Sequence, residues 1–228
     1  MNPWRVQVSP MRYCRKSKVT DTTLDWYFDY VSPFAYLQLK QFHRLPDHVL
    51  IRPVPVLFAG LLDHYGQKGP AEIEPKRAHT YRYCQWYAER HDISFRMPPA
   101  HPFNPLKLLR WTIQRPDSLE FIQVLFDGIF ARGMLPSDPT YWDWVSRTLG
   151  ESIDAGQAFS PEVKAVLREN TEAMQVFGVP TFRLDGINYW GMDATDMVLQ
   201  AVHDPGVFTR GEYARLAGMP TESTRRTF

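Results

Sequence analysis

Residues 24–37 read LDWYFDYVSPFAYL: an apolar, aromatic-rich run that stops abruptly at Ser32-Pro33, followed by helical spacing of Phe34, Leu37 and Phe42. Besides Asp25 at its start, the run carries one acidic residue inside it, Asp29, and otherwise suits a central strand covered on both faces. Ser before Pro is a helix start, because Ser accepts from an unpaired N–H and Pro has no N–H to lose. A strand over 24–31 feeding a helix over 33–43 therefore delivers one hydroxyl to the positive end of a helix, at the edge of a sheet. That position favours an anion or a thiolate.

Outward from this junction, VLIRPVPV at 49–56 alternates branched residues but holds two prolines, so it predicts a strand near a sheet edge. Strand, helix, strand is a βαβ opening. Residues 57–62 are a short apolar piece and 64–74 a Gly- and Pro-containing loop. The chain to about 177 then reads as helices, several starting alike: Glu74-Pro75, Asn104-Pro105, Asp138-Pro139 and Ser160-Pro161. Within 117–131, Ile122, Leu125, Phe126, Ile129 and Phe130 fall at amphipathic spacing. The α/β pattern returns as a strand at 179–184, an Asp185-Gly186 turn, a partner strand at 187–190 and a helix at 194–202.

The expected organisation is an extension over 1–22 and a thioredoxin-like domain formed by 23–56 and 176–206. A helical domain is inserted over 57–175, and a C-terminal segment covers 207–228. The fold class is α/β, thioredoxin-like, with a large all-helical insertion between the βαβ and ββα parts. The basic, Pro-broken start lacks the apolar core of a secretory signal; a mitochondrial-type leader is the alternative to a poorly ordered extension.

Composition excludes several classes. The 228 residues are 44% hydrophobic and 22% charged, with a net charge of +1, which offers no basic excess for nucleic acid. No apolar run approaches the roughly 20 residues of a membrane span. Two cysteines, Cys14 and Cys84, lie far apart and outside any metal-ligand or C-x-x-C spacing, so a cytoplasmic setting is expected, with no metal. The seven histidines form no metal signature, and no Walker A, H-E-x-x-H or G-x-S-x-G motif occurs.

In a thioredoxin-like order, a C-x-x-C pair would begin the first helix and a cis-proline loop would face it. Here those places read Ser32, Pro33, Phe34 and Ala35. Disulfide exchange at this site is chemically excluded, but a borrowed thiol set against the helix terminus would ionise more easily. A drop of two pKa units corresponds to roughly 2.7 kcal/mol, within reach of a dipole and one charge-assisted hydrogen bond.

FDYVSPFAYL, PVLFAGLLDHYGQKGPAEIEPKR, FGVPTF and YWGMDATDM, in that order, resemble the 2-hydroxychromene-2-carboxylate isomerase and kappa-class glutathione transferase group of the DsbA-like thioredoxin superfamily. The likeness spans about 24–202. It implies glutathione as cofactor, with Ser32 hydrogen-bonding its sulfur and Val179, before a cis-Pro180, pairing with its cysteinyl backbone. Asp193 and Ala194 would hold its γ-glutamyl end. Gln67 stands where the group commonly has Asn, and Ala194 lacks the side chain several relatives use, leaving a backbone N–H. The resemblance further implies an aromatic small-molecule substrate and a homodimer.

On the local sequence alone, Ser32 as a helix cap and nothing more is the stronger reading; the ordered motifs reverse that. Asp193 alone reads as a cap as well. Lys76 is either a solvated first-turn residue or the anchor of a substrate carboxylate, and Asn104 is either a cap or a pocket residue. Tyr81, Tyr83, Trp86 and Tyr87 either pack the helical block or floor a pocket for a planar substrate. Three functions stay open: a glutathione-dependent isomerase, a transferase that leaves glutathione on its product, and a non-catalytic thioredoxin-fold binding module.

Overall fold

The computed structural model describes residues 21–220 apart from Asp117, Ala155 and Met174. Most of the extension and the terminal TESTRRTF fall outside the described residues, but Thr22 already belongs to the first strand. The sheet has four strands in the order β2-β1-β3-β4: β1 (Thr22–Phe28), β2 (Val49–Pro55), β3 (Thr181–Leu184) and β4 (Ile187–Trp190). β1 is central, parallel to β2 and antiparallel to β3, and β2 with its prolines is an edge strand, as its sequence predicts.

Alternation decides which side chains enter the core. Leu24, Trp26 and Phe28 point to one face, where Phe182 and Leu184 join them, and all five are buried. Tyr27 points the other way, into a smaller cluster with Val56, Leu61, Val176 and Val179. β1 stops at Phe28, three residues short of the predicted strand end. Asp29 turns the chain there by accepting the N–H of Val31 at 3.0 Å and that of Phe58 at 2.9 Å.

α1 (Pro33–Leu39) follows, shorter than the predicted 33–43, and a single 3-10 turn at Phe42–Arg44 completes that stretch. Six further helices lie between β2 and β3: α2 (Phe58–His64), α3 (Glu74–Arg90), α4 (Leu106–Ile113), α5 (Leu119–Phe126), α6 (Pro139–Leu149) and α7 (Pro161–Glu172). The apolar piece expected at 57–62 is thus α2, and a 3-10 turn at Pro70–Glu72 interrupts the predicted loop. Asp138 and Ser160 cap α6 and α7 through their side chains. Pro105, by contrast, sits at the cap position, and α4 starts at Leu106, whose N–H goes to the Asn104 side chain. α5 continues as a π turn over Asp127–Ala131, covering the rest of the predicted amphipathic run. α8 (Thr195–His203) and α9 (Gly211–Ala217) close the chain.

The inserted helices share the core of the sheet. Trp26 stacks on Phe28 at 4.2 Å, Tyr30 meets Phe126 at 4.5 Å, and Tyr36 of α1 meets Phe130 at 5.6 Å. Fully burying such a ring contributes on the order of 2–3 kcal/mol. This continuity fixes α1 between sheet and insertion, and so fixes what stands at its N terminus.

Candidate active site

The chain leaves β1 at Asp29 and enters α1 at Ser32, whose backbone N–H donates to the Asp29 carbonyl at 3.0 Å. Ser32 is the N-cap, in extended conformation, and its Oγ accepts the N–H of Ala35 at 3.2 Å. Used as an acceptor, the hydroxyl keeps its own proton to donate outward. Ser32 is buried, 6% exposed, so a donor bond made there is little diluted by water.

Asp29 is fully buried, and loss of water raises its carboxyl to about 7, against the pull of the backbone N–H groups of Phe58, Val31 and Tyr30. Its two oxygens join the loop before α1 to the start of α2. His101 holds the same loop from the insertion: its Nε2 lies 2.6 Å from the Val31 carbonyl and its Nδ1 2.7 Å from the Tyr81 hydroxyl. A carbonyl only accepts, so Nε2 carries the proton and Nδ1 accepts from Tyr81. Burial lowers the pKa of His101, in keeping with a neutral ring.

Across the sheet end stands the second loop. The Val179-Pro180 peptide is cis, as the thioredoxin-like reading expected, and β3 begins only at Thr181, since Pro offers no N–H to the ladder. Tyr27 pairs with Thr181, so the chain beyond β1 and the chain before β3 emerge at the same sheet edge. β4 ends there too, because Trp190 pairs with Thr181. The turn after it carries Asp193, exposed, and Ala194, buried. The Ala194 N–H donates to the Gly191 carbonyl at 3.2 Å, so the Asp193 carboxylate is the polar side chain at this turn.

Ser32, Val179, Pro180, Asp193 and Ala194 are therefore gathered at one edge. Gln67, Lys76 and Asn104 belong instead to the insertion, in or next to α2, α3 and α4. Gln67 lies beyond the far end of α2, on the order of 10 Å of helix from the end that Asp29 ties down. Lys76 is exposed in the first turn of α3 and lines a shallow depression with Pro70, Pro75, His79 and Thr80. Asn104 is exposed and acts as the local cap of α4.

Of the aromatic run, Tyr83 packs near Phe34 at 6.1 Å and near Trp86 and Tyr87 at 5.7 and 6.3 Å. α3 thus lays an aromatic stripe beside the first turn of α1. Asp29 and His101 went unassigned in the sequence. The acid inside an apolar strand run was the visible signal for Asp29; for His101, which lies 70 residues from Val31, none existed.

Among the described residues the one cysteine, Cys84, is fully buried in α3, and burial pushes its thiol up to about 12. No group of His, Cys, Asp and Glu suited to a metal is found among the described residues. No helix there is long and apolar enough to cross a membrane.

The sequence profile of the DsbA-like thioredoxin domain matches residues 23–203, which include both loops and the whole insertion. The chain belongs to that family. Within it, the chain is similar to 2-hydroxychromene-2-carboxylate isomerases. It is 25% identical to that of Pseudomonas putida over 189 residues, 78% of this chain and 93% of the relative. It is 27% identical to that of Sphingobium xenophagum over 188 residues, 77% and 95% of the two chains. A solved 2-hydroxychromene-2-carboxylate isomerase superposes with a TM-score of 0.69 over 85% of this chain and 98% of the other, at 23% identity. This DsbA-like chain has Ser32 and Ala35 where a redox member would need two thiols.

Proposed function

We propose that this protein is a glutathione-dependent isomerase of a 2-hydroxychromene-2-carboxylate-type aromatic compound. The observation that carries the proposal is Ser32: a buried hydroxyl at the N terminus of α1, at the sheet edge where cis-Pro180 also emerges, with no thiol of its own at either redox position. The names of the similar proteins support the isomerase class.

The residues present fit a γ-glutamyl-cysteinyl thiol. Ser32 Oγ–H donates to the sulfur, and the N terminus of α1 favours its negative charge. The Val179 backbone, just before the cis-proline, pairs with the cysteinyl unit, and the Asp193 carboxylate accepts from the α-ammonium. When bound, glutathione supplies a nucleophilic sulfur that adds to the ring system reversibly, permitting ring opening and bond rotation. Phe34 and Tyr83 give a planar ring an apolar side to lie against. Lys76 anchors the substrate carboxylate from the first turn of α3, with Gln67 and Asn104 at the rim.

Ser32→Ala removes the donor and keeps the fold. The bound thiol should then ionise about one to two pKa units higher, read from thiolate ultraviolet absorbance, and turnover should fall on the order of 100-fold. Unchanged absorbance and turnover would sink the role of Ser32. A stable glutathione adduct in place of an isomerised product would make the enzyme a kappa-type transferase. If millimolar glutathione does not shift the melting temperature, the chain is a binding module of another kind.

A further inference from the structure

Gln38 is an uncharged polar side chain with no exposed surface, and its amide joins two parts of the molecule 153 residues apart. Its Oε1 accepts the indole N–H of Trp26 at 2.8 Å, and its Nε2 donates to the Gly191 carbonyl at 2.9 Å. An indole only donates and a carbonyl only accepts, so the amide has one orientation that serves both.

Gly191 is the junction on the other side. Its N–H donates to the Pro180 carbonyl at 2.8 Å, and its carbonyl receives Gln38 and the Ala194 N–H. Its φ is +94°, and an added Cβ would collide with Asp193 Oδ1, so the carboxylate of Asp193 folds back over the glycine. One residue thus ties together the cis-proline loop, α1 and the carboxylate at the Gly191 turn.

Ser32 and Gln38 stand at the two ends of the same short helix. We infer that Gln38 is the positioning residue that holds the Gly191–Ala194 turn, and with it Asp193, at a fixed distance from the Ser32 hydroxyl. This rests on the glutathione reading above and adds to it how the thiol end and the amine end of one ligand are kept in register. α1 acts as a rigid spacer: its cap meets the sulfur, and the amide about 1.7 turns later meets the loop that receives the γ-glutamyl group.

The geometry separates the two ends of the ligand, and so does the test. Calorimetry compares glutathione with cysteinylglycine, which keeps the thiol and lacks the γ-glutamyl end. Gln38→Met keeps the length of the side chain and removes both hydrogen bonds; glutathione should bind about tenfold more weakly, and cysteinylglycine less than about twofold. Trp26→Phe takes away the indole donor and some core volume but leaves the bond from Gln38 to Gly191, so it should lose stability without losing glutathione affinity.

Should Gln38→Met not fold, Gln38→Glu is read in the same way. It keeps the bond from Trp26 and sets a carboxylate against the Gly191 carbonyl. Equal loss of both ligands, or loss of neither, in a wild type that binds both overturns the role of Gln38. A wild type that binds neither ligand overturns the glutathione reading and this one with it.

Discussion

Two buried polar side chains hold the two ends of α1, and they do it with different chemistry. Asp29, before the helix, is a carboxyl that gathers backbone N–H groups from the Ser32 loop and from α2. Gln38, inside the helix, is an amide that accepts one hydrogen bond from Trp26 and donates one to Gly191. The first can ionise and the second cannot. The fastening before α1 is therefore sensitive to pH, while that near its other end is not.

Asp29→Ala should break this comparison hardest. Two buried N–H donors lose their acceptor together, at a cost of roughly 2–5 kcal/mol in urea denaturation at low pH. The sign of the pH dependence follows from where the proton sits. Burial raises the carboxyl from 3.8 to about 7, so between those values the folded chain holds a proton that the unfolded chain has released. The stability Asp29 brings is fully present below its unfolded pKa and is lost as pH rises through 7. Across that window each pH unit should cost wild type about 1.4 kcal/mol relative to the variant. A difference between the two that stays level from pH 4 to 8 would count against a buried, protonated Asp29.

Gln38→Leu should cost less, roughly 1–3 kcal/mol, because the Gly191 carbonyl keeps the Ala194 N–H and only the Trp26 indole is left without a partner. That cost should be the same from pH 5 to 8 in denaturation, since neither amide nor indole titrates there. A loss that tracks pH would mean that the two ends of α1 are not independent.

What the sequence shows of this arrangement follows from how local each interaction is. The Ser32-Pro33 start of α1, the Asp185-Gly186 hairpin and the prolines of β2 are all local chemistry, and each sits where its residues predict. At Asp185-Gly186 both φ values are positive, 49° and 83°, as a two-residue turn requires. The end of β1 was misplaced because Asp29 caps a backbone N–H from α2, 29 residues on. Gln38 carries no local signal of its role because its partners lie 12 and 153 residues away. Ser32, Pro180 and Asp193 are read together from the order of their motifs, and the fold brings their loops to one sheet edge, whereas the bonds of Asp29 and Gln38 are contacts that no short stretch encodes.

The smallest effect is expected from the third fastening, and it runs in the opposite direction. His101 donates to the Val31 carbonyl as a neutral ring, and burial lowers its pKa below the ordinary 6.5. Here the unfolded chain takes up a proton that the folded chain refuses, so the stability is present above the unfolded pKa and is lost as pH falls below it. His101→Gln keeps an N–H donor at a similar reach and removes the titration. Between pH 7 and 5 wild type should therefore lose stability relative to this variant, modestly because the ring is only partly buried. Asp29→Ala shows the reverse slope over the same range, so the two variants separate contributions that offset each other in the intact protein. Parallel denaturation profiles for wild type and His101→Gln would mean that the imidazole takes up its proton as readily in the fold as in the unfolded chain. In acid the proton on Nδ1 would then displace the bond from Tyr81, leaving the Ser32 loop held from the insertion by a cation.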